Sequence, residues 1–465
     1  MLAILNKGNT NWKDNVYLIF LLFFTAYVVH LHSSFRVLYY TFLIICYYFS
    51  KRDHVWLVFV FILVQGPGLL FSKPHDSIIS LTSTVHISFA HVFALISYVK
   101  YAPLRNRSSS HRFAYLSAPI LYYMFFMVLI SILYGFDPGS LISMLYVLIS
   151  ISFYPSLVTL IADRKTLYNV VSLLFFANMF LFVWQVHDII VLKKVFTYLN
   201  VVAPHNEIGF SQEGFKIGRL YYAAGVGFIA FFSSLFFLLD KEHTKFSQKF
   251  LYIVASISFL SMFLTATRGY ITMYLLLLIC FLFFNRARAI RFVIISATVI
   301  YALAIVFPYF SNQLFLTIER TLTVVNILDG DYTADGTLVR ITDRGPRVWN
   351  KYLESPIWGF GFSSEGFEFN DDHVGNHTLL LQGGVLGVLI WIFVYIKYIY
   401  HLAKRGSGLT HKKQAYFVVA YLLCLFVPHS TSSAVFSFYL SMHMVFFFAF
   451  IVKFSEIELR MKHGK

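Results

Sequence analysis

Val16-Tyr-Leu-Ile-Phe-Leu-Leu-Phe-Phe-Thr-Ala-Tyr-Val-Val-His-Leu31 is a run of sixteen residues without one charged side chain. A helix needs about 17–25 mainly apolar residues to cross a bilayer. With its flanks the run fills residues 15–32. It carries no small-residue cleavage site, and a second apolar run follows at once. It therefore reads as a first transmembrane helix and not as a removable leader. Working outward, similar runs recur at 34–50, 54–72, 77–99, 113–134, 140–162, 166–190, 220–239, 250–267, 270–284, 290–308, 378–400, 414–428 and 433–452. The tenth and thirteenth are short. No internal repeat or low-complexity segment interrupts the series. The sequence thus predicts an all-α polytopic membrane protein with about fourteen transmembrane helices, residues 1–465 forming a single membrane domain.

Composition agrees. Hydrophobic residues are 58% of the chain and charged residues 13%, against roughly 45–50% and 25% in ordinary soluble domains. Charge that sparse cannot coat a soluble protein of this size, but it can line the loops of one solvated by lipid. There are 53 Phe and 31 Tyr, and Tyr is favoured at both membrane interfaces. Cys46, Cys280 and Cys424 all lie inside apolar runs. Their spacing fits no disulfide, haem or zinc framework, so no metal or other cofactor is expected.

Charge sets the orientation. If the loops alternate from a cytoplasmic N-terminus, 25 of the 37 basic residues fall on the cytoplasmic side and 12 outside. The 22 acidic residues divide the other way, 7 inside and 15 outside, giving +18 on one face and −3 on the other. The positive-inside rule selects this topology, with both termini cytoplasmic. The net charge of +15 is therefore topological, and nucleic acid is not an expected partner.

Two long loops remain, both external. One runs from about Val191 to Arg219. The other, residues 309–376, is roughly 68 residues long, and a loop of that length is functional or disordered. It contains Trp349, Trp358 and several Phe and Gly. A short helix over Arg347–Glu354 is expected between Pro346 and Pro356. The loop should form an external cap of short helices on the membrane bundle.

The external side also holds arginines at membrane boundaries, against the charge rule. Arg219 opens the eighth run. Arg268 sits in the turn Thr265-Ala-Thr-Arg-Gly269, and Arg340, Arg344 and Arg347 lie in the long loop. A single interfacial arginine ordinarily snorkels or makes a local salt bridge. Several converging on one cavity would instead offer planar forks of donors suited to phosphate or carboxylate. Beyond them stands His373-Val-Gly-Asn-His377, just ahead of a run carrying Gly383, Gly384 and Gly387. A helix N-terminus favours a neutral, base-competent imidazole. A lone interfacial histidine, however, is more often a hydrogen-bonded structural residue.

Four stretches together resemble the bacterial O-antigen ligase and polymerase superfamily. They are Gly218-Arg219-Leu220 with the small residues Ala223, Ala224, Gly225 and Gly227; Thr267-Arg268-Gly269; Arg347-Val-Trp349 with Pro356-Ile-Trp-Gly-Phe-Gly361; and the histidine ahead of a Gly-x-x-Gly helix. They span residues 210–395. Departures exist. Thr378 follows His377 where the family usually has Asn, His373 competes with His377 by its spacing to the glycine pair, and Tyr221-Tyr-Ala-Ala224 replaces the usual Asn-Pro-Asn.

The resemblance implies a bacterial inner-membrane enzyme performing inverting, metal-independent glycosyl transfer on the periplasmic face. The donor would be an undecaprenyl-diphosphate-linked oligosaccharide and the acceptor a glycan or lipid, with a possible chain-length regulator as partner. Arg219, Arg268 and one of Arg340, Arg344 or Arg347 would hold the diphosphate, and His377 or His373 would act as base. The reaction would polymerise surface-polysaccharide repeat units or, alternatively, ligate finished glycan to a lipid A core. Three other classes compete. An enzyme using polyprenyl-phosphate sugars would carry acidic residues in its first external loop, and Leu31–Ser34 has none. A polysaccharide-lipid transporter or flippase would show charges within spans and two related halves. A scaffold would leave the external arginines unexplained.

Overall fold

The computed structural model describes residues 12–28, 33–63, 77–80, 86–105, 125–135, 152–191, 207–212, 215–218, 224–239, 244–265, 267–306, 340–371, 373–404, 412–430 and 438–462, with isolated positions between 307 and 339. The first helices are α1 (Trp12–Val28), α2 (Ser33–Phe49), α3 (Asp53–Leu63), α4 (Phe89–Lys100) and α5 (Ala102–Arg105). Then come α6 (Phe125–Tyr134) and α7, residues 152–160. α8 (Arg164–Val191), α9 (Ala224–Leu239), α10 (Gln248–Phe263), α11 (Arg268–Phe284) and α12 (Arg286–Val306) follow. A π-helical turn, Arg340–Arg344, leads into α13 (Gly345–Tyr352) and α14 (Ser364–Glu368). The chain continues through α15 (Gly375–Lys404), α16 (Lys412–Cys424), α17 (Phe426–Ser430) and α18 (Phe438–Lys462).

This helical architecture agrees with the all-α part of the predicted fold class. Among the described residues, the segments Arg164–Val186 and Arg286–Val306 are long and apolar enough to cross a membrane, and nine shorter apolar helices have 10–17 residues. Two predicted runs are corrected. Residues 77–99 are not one helix: β1 (Ser77–Ser80) pairs antiparallel with β2 (His86–Ser88), and helix begins only at Phe89. The segment is rich in Ser, Thr, Val and Ile, which favour extended backbone. A second hairpin, β3 (Glu207–Gln212) with β4 (Phe215–Gly218), lies in the first long loop. The run 414–428 breaks at Leu425 into α16 and α17.

α9 is the central helix. From Val226 to Leu239 every side chain is buried; it packs on α8, α10, α16 and α18. Phenylalanine fills the space. Phe232 stacks on Phe417 at 5.5 Å and meets Phe447 edge-on at 5.0 Å. The α8–α10 seam carries amides. Asn178 Nδ2 donates to Ser258 Oγ at 3.0 Å, while Gln185 Nε2 donates to the Ser261 carbonyl at 3.1 Å and Ser261 Oγ donates back to Gln185 Oε1 at 2.8 Å. Such bonds are worth only about 0.6 kcal/mol each within a bilayer. Their main effect is to fix the register of two apolar helices.

One end of the bundle is tied by charge. The Asp14 carboxylate meets His54 Nε2 at 2.8 Å and the Arg52 guanidinium at 3.9 Å. Lys100 Nζ lies 2.7 Å from Asp53 and donates to the carbonyls of Tyr47 and Ser50. Tyr101 also donates to Asp53, at 2.9 Å. Burial pushes the Tyr101 phenol far above its ordinary range, which keeps it a donor. α1, α2, α3 and α4 are thereby joined where their chain ends meet.

Candidate active site

α11 and α16 run antiparallel, since Lys413 Nζ donates to the Phe284 carbonyl at 3.2 Å. The Arg268 end of α11 therefore lies at the opposite end of the pair, where α17 packs on both α11 and α15. Arg268 is the first residue of α11, after the N-cap Thr267, and is half-buried. Arg219 lies outside the described residues.

α15 is discontinuous. Gly384 takes φ 59° and ψ −167°, a conformation open to almost no other residue. A continuous helix would pair the Val385 and Leu386 amides with the carbonyls of Leu381 and Gln382. Here the Pro356–Gly361 loop takes both sides of the break. Phe360 N–H donates to Leu381 O at 2.9 Å, and Gly361 N–H to Gln382 O at 2.8 Å. Val385 N–H donates to Pro356 O at 2.9 Å, and Leu386 N–H to Ile357 O at 3.1 Å. Four backbone groups that a kinked helix would leave open are satisfied.

Close approach explains the glycines of Pro-x-x-Gly-x-Gly. At Gly359, φ 70°, a Cβ would stand 2.5 Å from both Gln382 O and Gly384 N. At Gly361, φ 62°, it would stand 2.6 Å from the Met127 carbonyl of α6. Ser131 of α6 is buried, accepts the Phe362 N–H and donates to Met127 O at 2.7 Å. Tyr134 donates to Ser355 Oγ at 3.2 Å, and its ring lies 5.0 Å from that of Phe360. The motif is thus a clamp that seats the loop on α6 and α15.

The clamp holds α13 against the first turns of α15. The expected helix over Arg347–Glu354 is Gly345–Tyr352, with Pro346 inside its first turn, where its missing N–H costs nothing. Val348 and Tyr352 are buried beneath it. Gly345 is required by the π-helical turn, because a Cβ there would stand 2.6 Å from Arg340 O.

Arg340, Arg344, Arg347 and Lys351 recur at helical spacing, which places them along one side. Arg340 is half-buried. Arg344 and Arg347 reach the same carboxylate: Nη1 of Arg344 is 3.6 Å from Asp371 Oδ1, and Nη2 of Arg347 is 3.4 Å from Oδ2. Asp371 is 9% exposed, whereas Arg344 and Arg347 are 37% and 47% exposed. Lys351 is held by Glu354 at 2.6 Å and Glu365 at 2.8 Å, over the rings of Phe360 and Phe369. Hydrogen bonds to Glu354 and Glu365 raise its ammonium above the ordinary lysine range.

His377 is the third residue of α15 and half-buried. Its ring meets Trp349 of α13 edge-on, 5.8 Å between centroids, and its Cε1 is 3.6 Å from the position a Gly345 Cβ would take. His373 is exposed in the turn before α15, and its N–H donates to Asp371 Oδ1 at 2.8 Å. Because α15 begins at Gly375, the two histidines do not share a helix face. Arg347 and His377 are thus brought to one helix pair, with Arg340 and Arg344 in the π-helical turn that leads into it. Sequence reasoning missed Asp371, whose pairing with arginines far back in the chain needs a folded loop. It also missed Thr378, the buried neighbour that accepts the Asp371 N–H at 3.3 Å and donates to its carbonyl at 2.9 Å. His429, buried in α17 between α11 and α15, was missed as well; its place at the end of an apolar run was the available signal.

Compared with known protein families and with curated proteins, this chain matches none.

Proposed function

We propose that this chain is a polytopic membrane glycosyltransferase, with about fourteen spans and both termini cytoplasmic. In this reading it sits in a bacterial inner membrane and belongs with the O-antigen polymerases and ligases. It transfers an oligosaccharide from undecaprenyl diphosphate to an acceptor glycan on the periplasmic face. The observation that carries the reading is the pairing of α13 with α15. Two partly exposed guanidinium forks stand at the start of α13, Arg344 as its N-cap and Arg347 in its first turn, and His377 stands on the helix packed against it.

In the reaction, His377 accepts the proton of an acceptor hydroxyl as that oxygen bonds to the anomeric carbon. The bond from that carbon to the diphosphate oxygen breaks on the opposite side, and the electron pair leaves with the diphosphate. Arg344 and Arg347 stabilise its charge through ionic hydrogen bonds, with Arg268 and Arg219 proposed as further diphosphate partners. The product is inverted at the anomeric carbon, and His377 returns its proton to solvent.

The break in α15 bears on the transporter alternative. Discontinuous helices in transporters offer freed backbone groups to a solute. Here four such groups are taken by the Pro356–Gly361 loop. A glycolipid gel of a deletion strain tests the reading. Core carrying one repeat unit is the expected polymerase result. Bare core with polymeric glycan accumulated on undecaprenyl diphosphate would reassign the chain as a ligase, and an unchanged ladder would overturn glycosyl transfer.

A further inference from the structure

Asp371 has no part in the chemistry proposed above, yet its carboxylate joins two arginines and the turn bearing His373. Its two carboxylate oxygens divide between Arg344 at 3.6 Å and Arg347 at 3.4 Å. One of them also accepts the His373 N–H at 2.8 Å. Its backbone is fastened in both directions to the Thr378 hydroxyl, next to His377. The carboxylate is nearly buried while both guanidiniums remain more than a third exposed, so it grips them from behind. Both separations exceed the roughly 2.7–2.9 Å of a tight ionic hydrogen bond. Each guanidinium meets Asp371 through one terminal nitrogen, and of its five N–H groups others remain for a second anion.

Two guanidiniums one helical turn apart repel each other and would splay into water. A shared carboxylate removes that repulsion and fixes both heads at one point. We infer that Asp371 is a positioning residue that gathers Arg344 and Arg347 into one preorganised pyrophosphate-binding site and links that site to the turn bearing His373 and His377. The inference rests on the proposed diphosphate chemistry. It makes a counter-intuitive claim: removing a negative charge beside an anion site should weaken anion binding.

The test is calorimetric titration of the purified full-length protein with inorganic pyrophosphate, at fixed ionic strength. Arg344→Lys and Arg347→Lys should each weaken binding, since a lysine keeps the charge but not the fork. Asp371→Asn keeps an acceptor for the His373 amide and should weaken binding at least tenfold. Asp371→Glu should stay within about threefold of wild type, because it restores the shared charge. Unchanged or tighter binding by Asp371→Asn would overturn the inference and leave the arginine site standing. So would equal losses in Asp371→Asn and Asp371→Glu accompanied by a lowered thermal midpoint, the mark of a structural role. No pyrophosphate binding by wild type would overturn both readings. Should Asp371→Asn not accumulate, Arg344→Gln, Arg347→Gln and the double variant decide. Two heads held on one carboxylate give a non-additive loss, and additivity sinks the idea.

Discussion

His377 and His373 lie four residues apart, but the start of α15 at Gly375 separates their surroundings. His377 is half-buried against Trp349, whereas His373 is exposed and tied through its backbone to Asp371. A base must come within hydrogen-bond reach of the acceptor hydroxyl, directly or through one water. His377→Ala should therefore reduce glycan transfer about a hundredfold to ten-thousandfold while the protein still accumulates in membranes. His373→Ala should cost far less. Loss in His373→Ala with retention in His377→Ala would reassign the role. Lys351 supplies a prediction of another kind. Its carboxylate partners raise its pKa above the ordinary 10.5. A raised folded value means that its stabilisation is complete below the unfolded pKa and is lost only as pH climbs through the folded one. Lys351→Gln should thus speed hydrogen exchange of residues 345–369 equally at pH 6 and pH 9. A difference confined to one of those pH values would contradict this account. The sequence disclosed the basic residues and the histidine pair. It did not disclose Asp371 as their common partner, because an ion pair across such separations exists only after the loop folds back.

At the scale of elements, Pro356-Ile-Trp-Gly-Phe-Gly361 was legible as a turn and Gly383-Gly384 as a place of close packing. That one fits into the other was not legible, because no local signal records which segment takes the carbonyls of a broken helix. The same limit applies to residues 77–99. Their mean apolarity fits a span, but their β-branched and hydroxyl side chains favour the extended pairing of Ser77–Ser80 with His86–Ser88. The clamp gives a graded prediction. Gly384→Ala and Gly359→Ala each put a Cβ against immovable backbone as well as into a positive-φ conformation. Each should cost at least about 2–3 kcal/mol and lower the amount of folded protein. Gly135 also has a positive φ, 81°, but a Cβ there would meet nothing within 4 Å. Gly135→Ala should cost only the backbone term, about 1–2 kcal/mol. Thermal unfolding of the three variants in detergent measures the contrast. Equal losses would mean that strain alone, and not the seam between loop and helix, makes these glycines necessary.

Across the whole molecule, two independent patterns meet. Apolar run lengths give the helices, and the positions of 37 basic residues give a direction to the chain. The packing places α9, buried from Val226 to Leu239, at the centre of the described helices, against α8, α10, α16 and α18. It also brings Asp14, Arg52, Asp53, His54 and Lys100 together at one end of α1 to α4. The charge rule assigns all five to the cytoplasmic side. The proposed chemistry depends on the same alternation, since α13 and the start of α15 must then face the periplasm. Reporter fusions at Lys100–Arg112 and Lys404–Lys413 should read cytoplasmic, and a fusion at Asp329 should read periplasmic. The margin is wide: +18 on one face against −3 on the other, and basic residues near span ends set orientation more strongly than acidic ones. Moving a few lysines from the Lys404–Lys413 loop should weaken the cytoplasmic signal there before it inverts the chain, because seven other cytoplasmic segments still carry basic residues. A cytoplasmic signal at Asp329 would overturn the orientation. It would also remove the glycosyl transfer with it, because a lipid-linked donor presented in the periplasm could not meet Arg344, Arg347 and His377 on the other side of the bilayer.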